Sequence, residues 1–233
     1  MATGERLSLI VPSWREGVAL VAAVRSARVA LAPDEAIVVA AEEPDEVREA
    51  ATAEGVRWVD APRPCRGAQL RTGARAATGD VLVFVHADSR LPPDAGRLVR
   101  AALANGRCVG GAFRLRFDRP HPVLDLLARL SELRVPPAFL GDQCLFCRRG
   151  DYDAVGGFTD QPLFEDVDLA RRLARRGPLL RLPQAVTTSA RRFTAGGPLR
   201  RLVLNALLMC AFHAGVSPAR LHGWYTHRSP SAS

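Results

Sequence analysis

A histidine and two groups of carboxylates are the side chains of this sequence best suited to chemistry. Asp88 closely follows an unbroken apolar run at residues 81–85, and one alanine separates it from His86. Mg²⁺ and Mn²⁺ commonly take one or two protein carboxylates and fill their other positions with phosphate oxygens and water. Asp88 therefore fits either a metal site or a capping position in a turn. For His86, a buried and hydrogen-bonded position is the simpler interpretation.

The second carboxylate group, Glu165 and Asp166, opens a helical pattern after residues 162–164. Acidic residues in a first helical turn are expected from capping and from the helix dipole alone. A carboxylate at that position also stays ionised at neutral pH and can take a proton from an attacking hydroxyl. The pattern leaves both interpretations open, and the functional one predicts a general base.

Two arginine positions are candidates for binding phosphate. Arg66 stands at the start of a predicted helix, where backbone N–H groups and a guanidinium both suit phosphate oxygens. Arg192 belongs to an Arg-Arg-Phe segment that could clamp a diphosphate or face solvent. The formal charge is +8 and all 32 basic residues are arginine. Because the arginines are spread along the chain, we expect no nucleic-acid partner.

The cysteines and the ends of the chain suggest a location. Five cysteines, an odd number, without a secretory segment predict the reducing cytoplasm. Cys144 and Cys147 lie in a predicted strand, so their sulfurs should point to opposite faces and bind no common metal. Residues 198–216 are basic at the start and apolar afterwards, too short to cross a bilayer. They predict a closing helix packed on the domain, with peripheral contact to the inner membrane face or a lipid-like acceptor as the alternative.

The elements that must position these groups alternate along the first half of the chain. Strands are predicted at residues 7–11, 36–41, 56–59 and 81–85, and helices at 18–31, 45–54, 67–78 and from Pro92-Pro93 to 106. This alternation predicts an α/β fold with a mostly parallel central sheet and helices on both faces. Ligands of such sheets bind beyond the carboxyl ends of the strands, where residues 12–16, 41–43 and 86–88 fall.

The second half predicts a strand at residues 108–117, a helix at 122–134 and Gly141-Asp142-Gln143 before the cysteine-bearing strand. We treat residues 1–228 as one domain, since no low-complexity linker interrupts them. Its nucleotide half covers about residues 1–106, its acceptor half 107–197 and an amphipathic helical segment 198–228. Residues 229–233 form a tail.

Several motifs occur in an order that resembles a known family. They read LSLIVPSWRE, CRGAQLRTGARAATGDVLVFVHADSRLP, GDQCLFCRRGDYDAVGGFTDQPLFEDVDLARRLARRG and TTSARRF. Together they resemble the family-2 glycosyltransferases of the GT-A fold. The sequence is most similar to a short subgroup found near radical-SAM genes and assigned to arsenosugar biosynthesis, for which the spellings HAD, GDQ and TSARR are typical.

The resemblance implies inverting transfer of a sugar from a nucleotide-diphosphate donor to a hydroxyl acceptor, assisted by Mg²⁺ or Mn²⁺. By position, Asp88 is the metal carboxylate, His86 holds the first acidic position of the family's D-x-D, and Asp166 of the Glu165-Asp166 pair is the catalytic base. The remaining implied site residues are Pro12, Trp14, Glu16, Glu42, Arg66 and Arg192 for the nucleotide sugar, and Gly141, Asp142 and Gln143 on the acceptor side.

Two departures from the family pattern keep other activities open. Ala40 and Ala41 stand where relatives carry acids that read the nucleoside, with Glu42 next to them, and Arg15 replaces an asparagine. A non-catalytic protein with a decayed site is therefore one alternative. A nucleotidyltransferase is another, although no early Gly-rich, Lys-containing phosphate loop supports it.

Overall fold

An eight-stranded sheet forms the centre of the computed structural model, which describes residues 5–132, 139, 141–191 and 197–228. Its strand order is β3-β2-β1-β4-β7-β6-β8-β5. The strands are β1 (Leu7–Trp14), β2 (Glu35–Ala41), β3 (Arg57–Asp60), β4 (Val81–Phe84), β5 (Ser89–Arg90), β6 (Gly110–Phe117), β7 (Phe146–Arg148) and β8 (Leu179–Thr188). The helices are α1 (Val18–Leu31), α2 (Asp45–Ala53), α3 (Arg66–Ala76), α4 (Ala95–Leu103), α5 (Pro122–Leu130), α6 (Arg149–Ala154), α7 (Glu165–Ala174), α8 (Pro198–His213) and α9 (Pro218–Arg228).

The first half of the sheet is parallel, as predicted. β1 pairs in parallel with β2 on one side and with β4 on the other, and β2 pairs in parallel with β3. Their unbroken apolar runs fit this position, because a central parallel strand is buried on both faces. β7 runs antiparallel between β4 and β6 and joins the two halves into one sheet. The predicted α/β architecture is confirmed.

Apolar side chains form a core on each face of the sheet. Leu9 of β1 belongs to one buried cluster and Ile10 to the other, as the alternation of a strand requires. Cys144 and Cys147 also lie in different clusters, and both are free thiols. The prediction that both lie in a strand was wrong, since β7 begins at Phe146 and Cys144 precedes it in a turn with φ 55°, but the two sulfurs do lie apart in different clusters.

The first strand is longer than predicted and contains Pro12. Ile10 accepts a hydrogen bond from the N–H of Val85, just after β4. Pro12, two residues further, therefore turns its missing N–H toward the same side, where β4 has already ended at Phe84. No ladder bond is lost, which is the condition for proline within a strand.

Several predicted helix boundaries were wrong, since the helices expected to reach residues 78 and 106 end at Ala76 and Leu103. The helix expected to open at Pro92-Pro93 begins at Ala95, because Asp94 takes a left-handed conformation with φ 58°. The helix expected to reach residue 134 ends at Leu130. In the part of the chain that the structure describes, no helix combines the length and the apolar character needed to cross a membrane.

Candidate functional site

Asp166 is buried at the start of α7 and is held by two backbone amides. The N–H of Gly141 donates to its Oδ2 at 2.5 Å, and the N–H of Val167 donates to its Oδ1 at 2.7 Å. Burial and the charge of Glu165 raise the pKa of Asp166 while Arg66 and the two amides lower it, and together they bring it to about 6. The result is a carboxylate that is ionised at neutral pH but still basic enough to accept a proton.

Glu165, the neighbour of Asp166, is completely buried and forms an ion pair with Arg66. The Arg66 Nε–H donates to Glu165 Oε1 from the first turn of α3, across the sheet edge from α7. Burial alone would lower the pKa of Arg66, but Glu165, Asp166 and Asp142 raise it. Arg66 therefore supplies the positive charge of a site that is otherwise acidic.

Asp142 lies in a one-turn 3-10 helix, Gly141–Gln143. Its carboxyl group is near those of Asp88 and Asp166. Burial of its carboxyl group, together with the charges of Asp166 and Asp88, raises the pKa of Asp142 to about 7. Its Oδ1 is buried and has no hydrogen-bond partner. The fold thus brings Asp142 close enough to both Asp88 and Asp166 for their charges to repel its own, although the three are far apart in the sequence.

Arg181, which the sequence analysis did not identify, holds the 3-10 turn in place through a hydrogen bond to Gln143. Arg181 of β8 donates from Nη1 to Gln143 Oε1 and, at 3.0 Å, to the carbonyl of Phe113. Its guanidinium also lies over the ring of Phe139, 4.0 Å from the ring centre. Burial lowers the pKa of Arg181 to about 10. Gln143 is completely buried, and its hydrogen bond with Arg181 holds in place the turn that carries Gly141 and Asp142.

A second group of polar residues lines the carboxyl ends of β1 and β2. Trp14 is half exposed, and its indole N–H donates to Glu42 Oε2 at 3.2 Å. Glu42 also forms an ion pair with Arg15 at 2.7 Å. Glu42 therefore occupies the strand end beside Trp14, whereas Ala40 and Ala41 are buried within β2.

Glu43, which belongs to the predicted strand-end segment 41–43 but was given no role of its own, organises the loop after β1. Its Oε1 accepts from the Ser13 hydroxyl at 2.6 Å and from the Glu16 N–H at 2.7 Å, and its Oε2 accepts from the Gly17 N–H at 3.0 Å. The buried Gln69 side chain of α3 reinforces this edge by donating to the carbonyls of Ser13 and Val39. The sequence signal that could have identified Gln69 is a polar residue on the buried side of a predicted helix.

Residues 8–167 match the family model described as Glycosyl transferase family 2. The chain belongs to glycosyl transferase family 2. No curated protein sequence matches it. The enzyme is thus a glycosyltransferase, and the expectation of a family-2 member is confirmed.

Solved structures agree with this glycosyltransferase in fold. A mannosyltransferase from Pyrobaculum calidifontis, in complex with GDP-Man and Mn²⁺, superposes with a TM-score of 0.69 at 21% identity, over 95% of this chain and 69% of its own. Glucosyl-3-phosphoglycerate synthase from Mycobacterium tuberculosis in complex with phosphoglyceric acid gives 0.64 at 20% identity, over 89% and 81%. Its complex with Mg²⁺ and UDP gives 0.62 at 20% identity, over 89% and 80%. These matches establish the GT-A fold.

The site of the glycosyltransferase can be tested for its fit to a divalent ion. Within the described residues, no three His, Cys, Asp or Glu side chains converge on one point. Two carboxylates suffice for Mg²⁺ or Mn²⁺ when phosphate and water provide the other ligands. Asp88 is half-buried, and Asp142 has a buried oxygen without a partner and a pKa raised by the nearby acids. A cation would relieve this repulsion, so the residues fit the ion.

Of the remaining predicted positions, the structure describes His86 but not Arg192. His86 is half-buried and lies close to Gly141. Arg192 lies outside the residues that the structure describes. Its neighbour Arg191 lies 3.8 Å from Glu16 as an ion pair between the loop after β8 and the loop after β1.

Gly141 is packed so tightly that alanine should disturb the site. An added Cβ would lie 2.6 Å from His86 Nε2 and 3.2 Å from Asp166 Oδ2. We expect Gly141→Ala to reduce kcat at least tenfold and to destabilise the enzyme by about 1–3 kcal/mol, since overpacking forces neighbours to move. Steady-state kinetics and urea unfolding measure both effects. Gly150→Ala is the control, because nothing lies within 4 Å of its added Cβ. Unchanged kinetics for Gly141→Ala would contradict the packing.

Proposed function

We propose that this glycosyltransferase moves a sugar from a nucleotide-diphosphate donor to an acceptor hydroxyl with inversion of configuration, and that Asp166 is the base. The observation that carries this proposal is the Asp166 carboxylate, buried, oriented by the Gly141 and Val167 amides and tuned to a pKa of about 6. In a single displacement, Asp166 removes the acceptor proton while the acceptor oxygen attacks the anomeric carbon. The bond to the diphosphate breaks on the opposite face.

The donor lies along the edge formed by β1, β2 and β4 in this proposal. Pro12 and the exposed indole of Trp14 flank the nucleoside, while Glu16 and Glu42 offer carboxylates to its hydroxyl groups. The expectation that Arg192 contacts the diphosphate remains part of the proposal. Both the GDP-Man and UDP complexes named above have this fold, so guanosine and uridine are the first nucleosides to test.

Asp88 and Asp142 would hold the divalent ion beside the donor diphosphate. When bound, the ion neutralises charge that develops on the leaving diphosphate. His86 lies next to Gly141, the residue that precedes Asp142 in the sequence. The ion pair of Arg66 with Glu165 gives Glu165 a positioning role, because Arg66 lowers the pKa of Asp166 and keeps the base ionised.

The acceptor approaches from the 3-10 turn in this proposal. Gly141 and Asp142 border the base, and Gln143 fixes them through Arg181. The synthase related in fold was solved with phosphoglyceric acid, which makes a small hydroxylated acceptor a reasonable first choice. We assign the enzyme to the arsenosugar subgroup and to the cytoplasm on the motifs HAD, GDQ and TSARR and on the five free cysteines.

Donor binding is tested by thermal unfolding with Mn²⁺ and each of GDP, UDP and dTDP. We expect one nucleotide to raise the Tm of the wild-type enzyme by several degrees only when Mn²⁺ is present, because binding to the folded state stabilises it. Asp88→Asn should lose the Mn²⁺-dependent part of this shift. Asp94→Asn is the control, since Asp94 is an exposed carboxylate of the following loop. An equal shift for wild type and Asp88→Asn would argue against Asp88 as a metal ligand.

A further inference from the structure

Helix α8 presents apolar side chains to solvent instead of to the core. Leu199, Val203 and Leu207 are 63%, 50% and 59% exposed. They are spaced four residues apart and so share one helix face. Of the 16 residues of this helix, all of which the structure describes, Leu208 alone is buried. The predicted closing helix is present, but its exposed face is apolar where a surface helix is usually polar.

Helix α8 itself packs on the rest of the enzyme. Phe212 at the end of α8 packs against Phe164, with ring centres 5.0 Å apart. Arg201 stacks on Tyr225 of α9 at 4.4 Å from the ring centre. Trp224, on the same helix α9, is 51% exposed. The apolar residues are therefore held outward by packing on the domain.

The last part of the sequence, which includes α8 and α9, carries positive charge only. Residues 1–168 contain 21 arginines and 24 acidic residues, whereas residues 169–233 contain 11 arginines and no Asp or Glu. Arginines occur throughout the sequence, as noted above, but the acids end at Asp168. Arg200 of α8 and Arg220 of α9 are exposed. The face formed by Leu199, Val203 and Leu207 thus belongs to a segment that carries positive charge only.

We propose that the docking face, defined by Leu199, Val203 and Leu207 of α8, binds the surface of an anionic lipid bilayer. Apolar side chains enter the boundary between headgroups and acyl chains, and arginines attract anionic headgroups. A second copy fits less well, since a symmetric pair would bring the same acid-free segments together.

Vesicle flotation tests this proposal without using sugar transfer, so its outcome is independent of the proposed function. The wild-type enzyme should float with vesicles of phosphatidylcholine and phosphatidylglycerol, and much less with phosphatidylcholine alone. Raising the salt concentration should weaken binding to the anionic vesicles, because it screens the arginines. Wild-type enzyme that stays at the bottom with anionic vesicles would overturn the proposal.

Three sets of variants separate the apolar and charged contributions. Leu199→Ser/Val203→Ser/Leu207→Ser should lower vesicle partitioning tenfold or more, since three apolar side chains no longer enter the lipid. Val29→Ser of α1, which is 80% exposed, should leave partitioning unchanged. Arg200→Gln/Arg220→Gln should weaken binding to anionic vesicles, whereas Arg97→Gln of α4 should not.

Two further outcomes would overturn the proposal. The first is a triple serine variant that floats as well as the wild type while its circular dichroism and Tm are unchanged. The second is a wild-type dimer in the absence of lipid that becomes monomeric in the triple variant. That result would assign the docking face to contact between copies of this chain.

Discussion

Asp166→Asn is expected to abolish sugar transfer while nucleotide binding is retained. The amide cannot take a proton from the acceptor hydroxyl, and loss of a general base costs roughly 10²–10⁴-fold in rate. The Asn side chain has nearly the same size but only one acceptor oxygen, so one of the two N–H groups, of Gly141 or Val167, keeps its bond and the other loses its acceptor. Transfer kinetics and nucleotide titration separate the two effects.

The matched control for this change is Asp168→Asn, two residues along the same helix. Asp168 is half-buried and bound by Arg172, and it has no role in the proposed mechanism. For the wild type, kcat/KM should rise with pH through about 6, because the base acts only when deprotonated. Transfer by Asp166→Asn at a rate near that of Asp168→Asn would exclude Asp166 as the base.

Arg66→Met is expected to give the largest loss of stability. Glu165 is completely buried, and without Arg66 its charge would remain uncompensated. Removal of one partner from a buried ion pair costs about 3–5 kcal/mol, measured as the free energy of unfolding in urea. The acid limb of the pH profile should also move to higher pH, since Arg66 normally lowers the pKa of Asp166.

The double variant Arg66→Met/Glu165→Leu should recover most of this loss, because an apolar pair of similar volume can replace a buried ion pair. Arg71→Met, five residues further along α3, is the control. Its ion pair with Asp160 is partly exposed and should contribute less than about 1 kcal/mol. If Arg66→Met and Arg71→Met have equal effects, the Arg66 pair does not stabilise the fold in the way described.

The fold could be predicted largely from local patterns. Apolar runs identify the central strands because burial on both faces requires them, and β1, β2 and β4 occur where such runs stand. Helix ends were less predictable. The left-handed conformation of Asp94, which delays α4, depends on how the loop meets its surroundings and has no local signal.

The sequence indicated which residues could belong to the candidate site better than it indicated which of them contact one another. Asp88 and Asp166 follow from strand ends and helix starts, but the pairing of Arg66 with Glu165 joins positions 99 residues apart. The repulsion of Asp142 by Asp88 and Asp166 likewise depends on tertiary distance. The family resemblance identified the segments that carry the candidate residues, but it gave no role to Gln69, which lies within one of the motifs, or to Arg181, which lies outside them.

The Gln69 amide has a consequence for the proposed donor site. It is 3% exposed and joins the carbonyl of Ser13 at the end of β1 to that of Val39 in β2. With Glu43 bonded to Ser13, Glu16 and Gly17, this edge has its shape before any ligand arrives. A preorganised edge loses little conformational entropy on binding, so most of the interaction energy remains available as affinity.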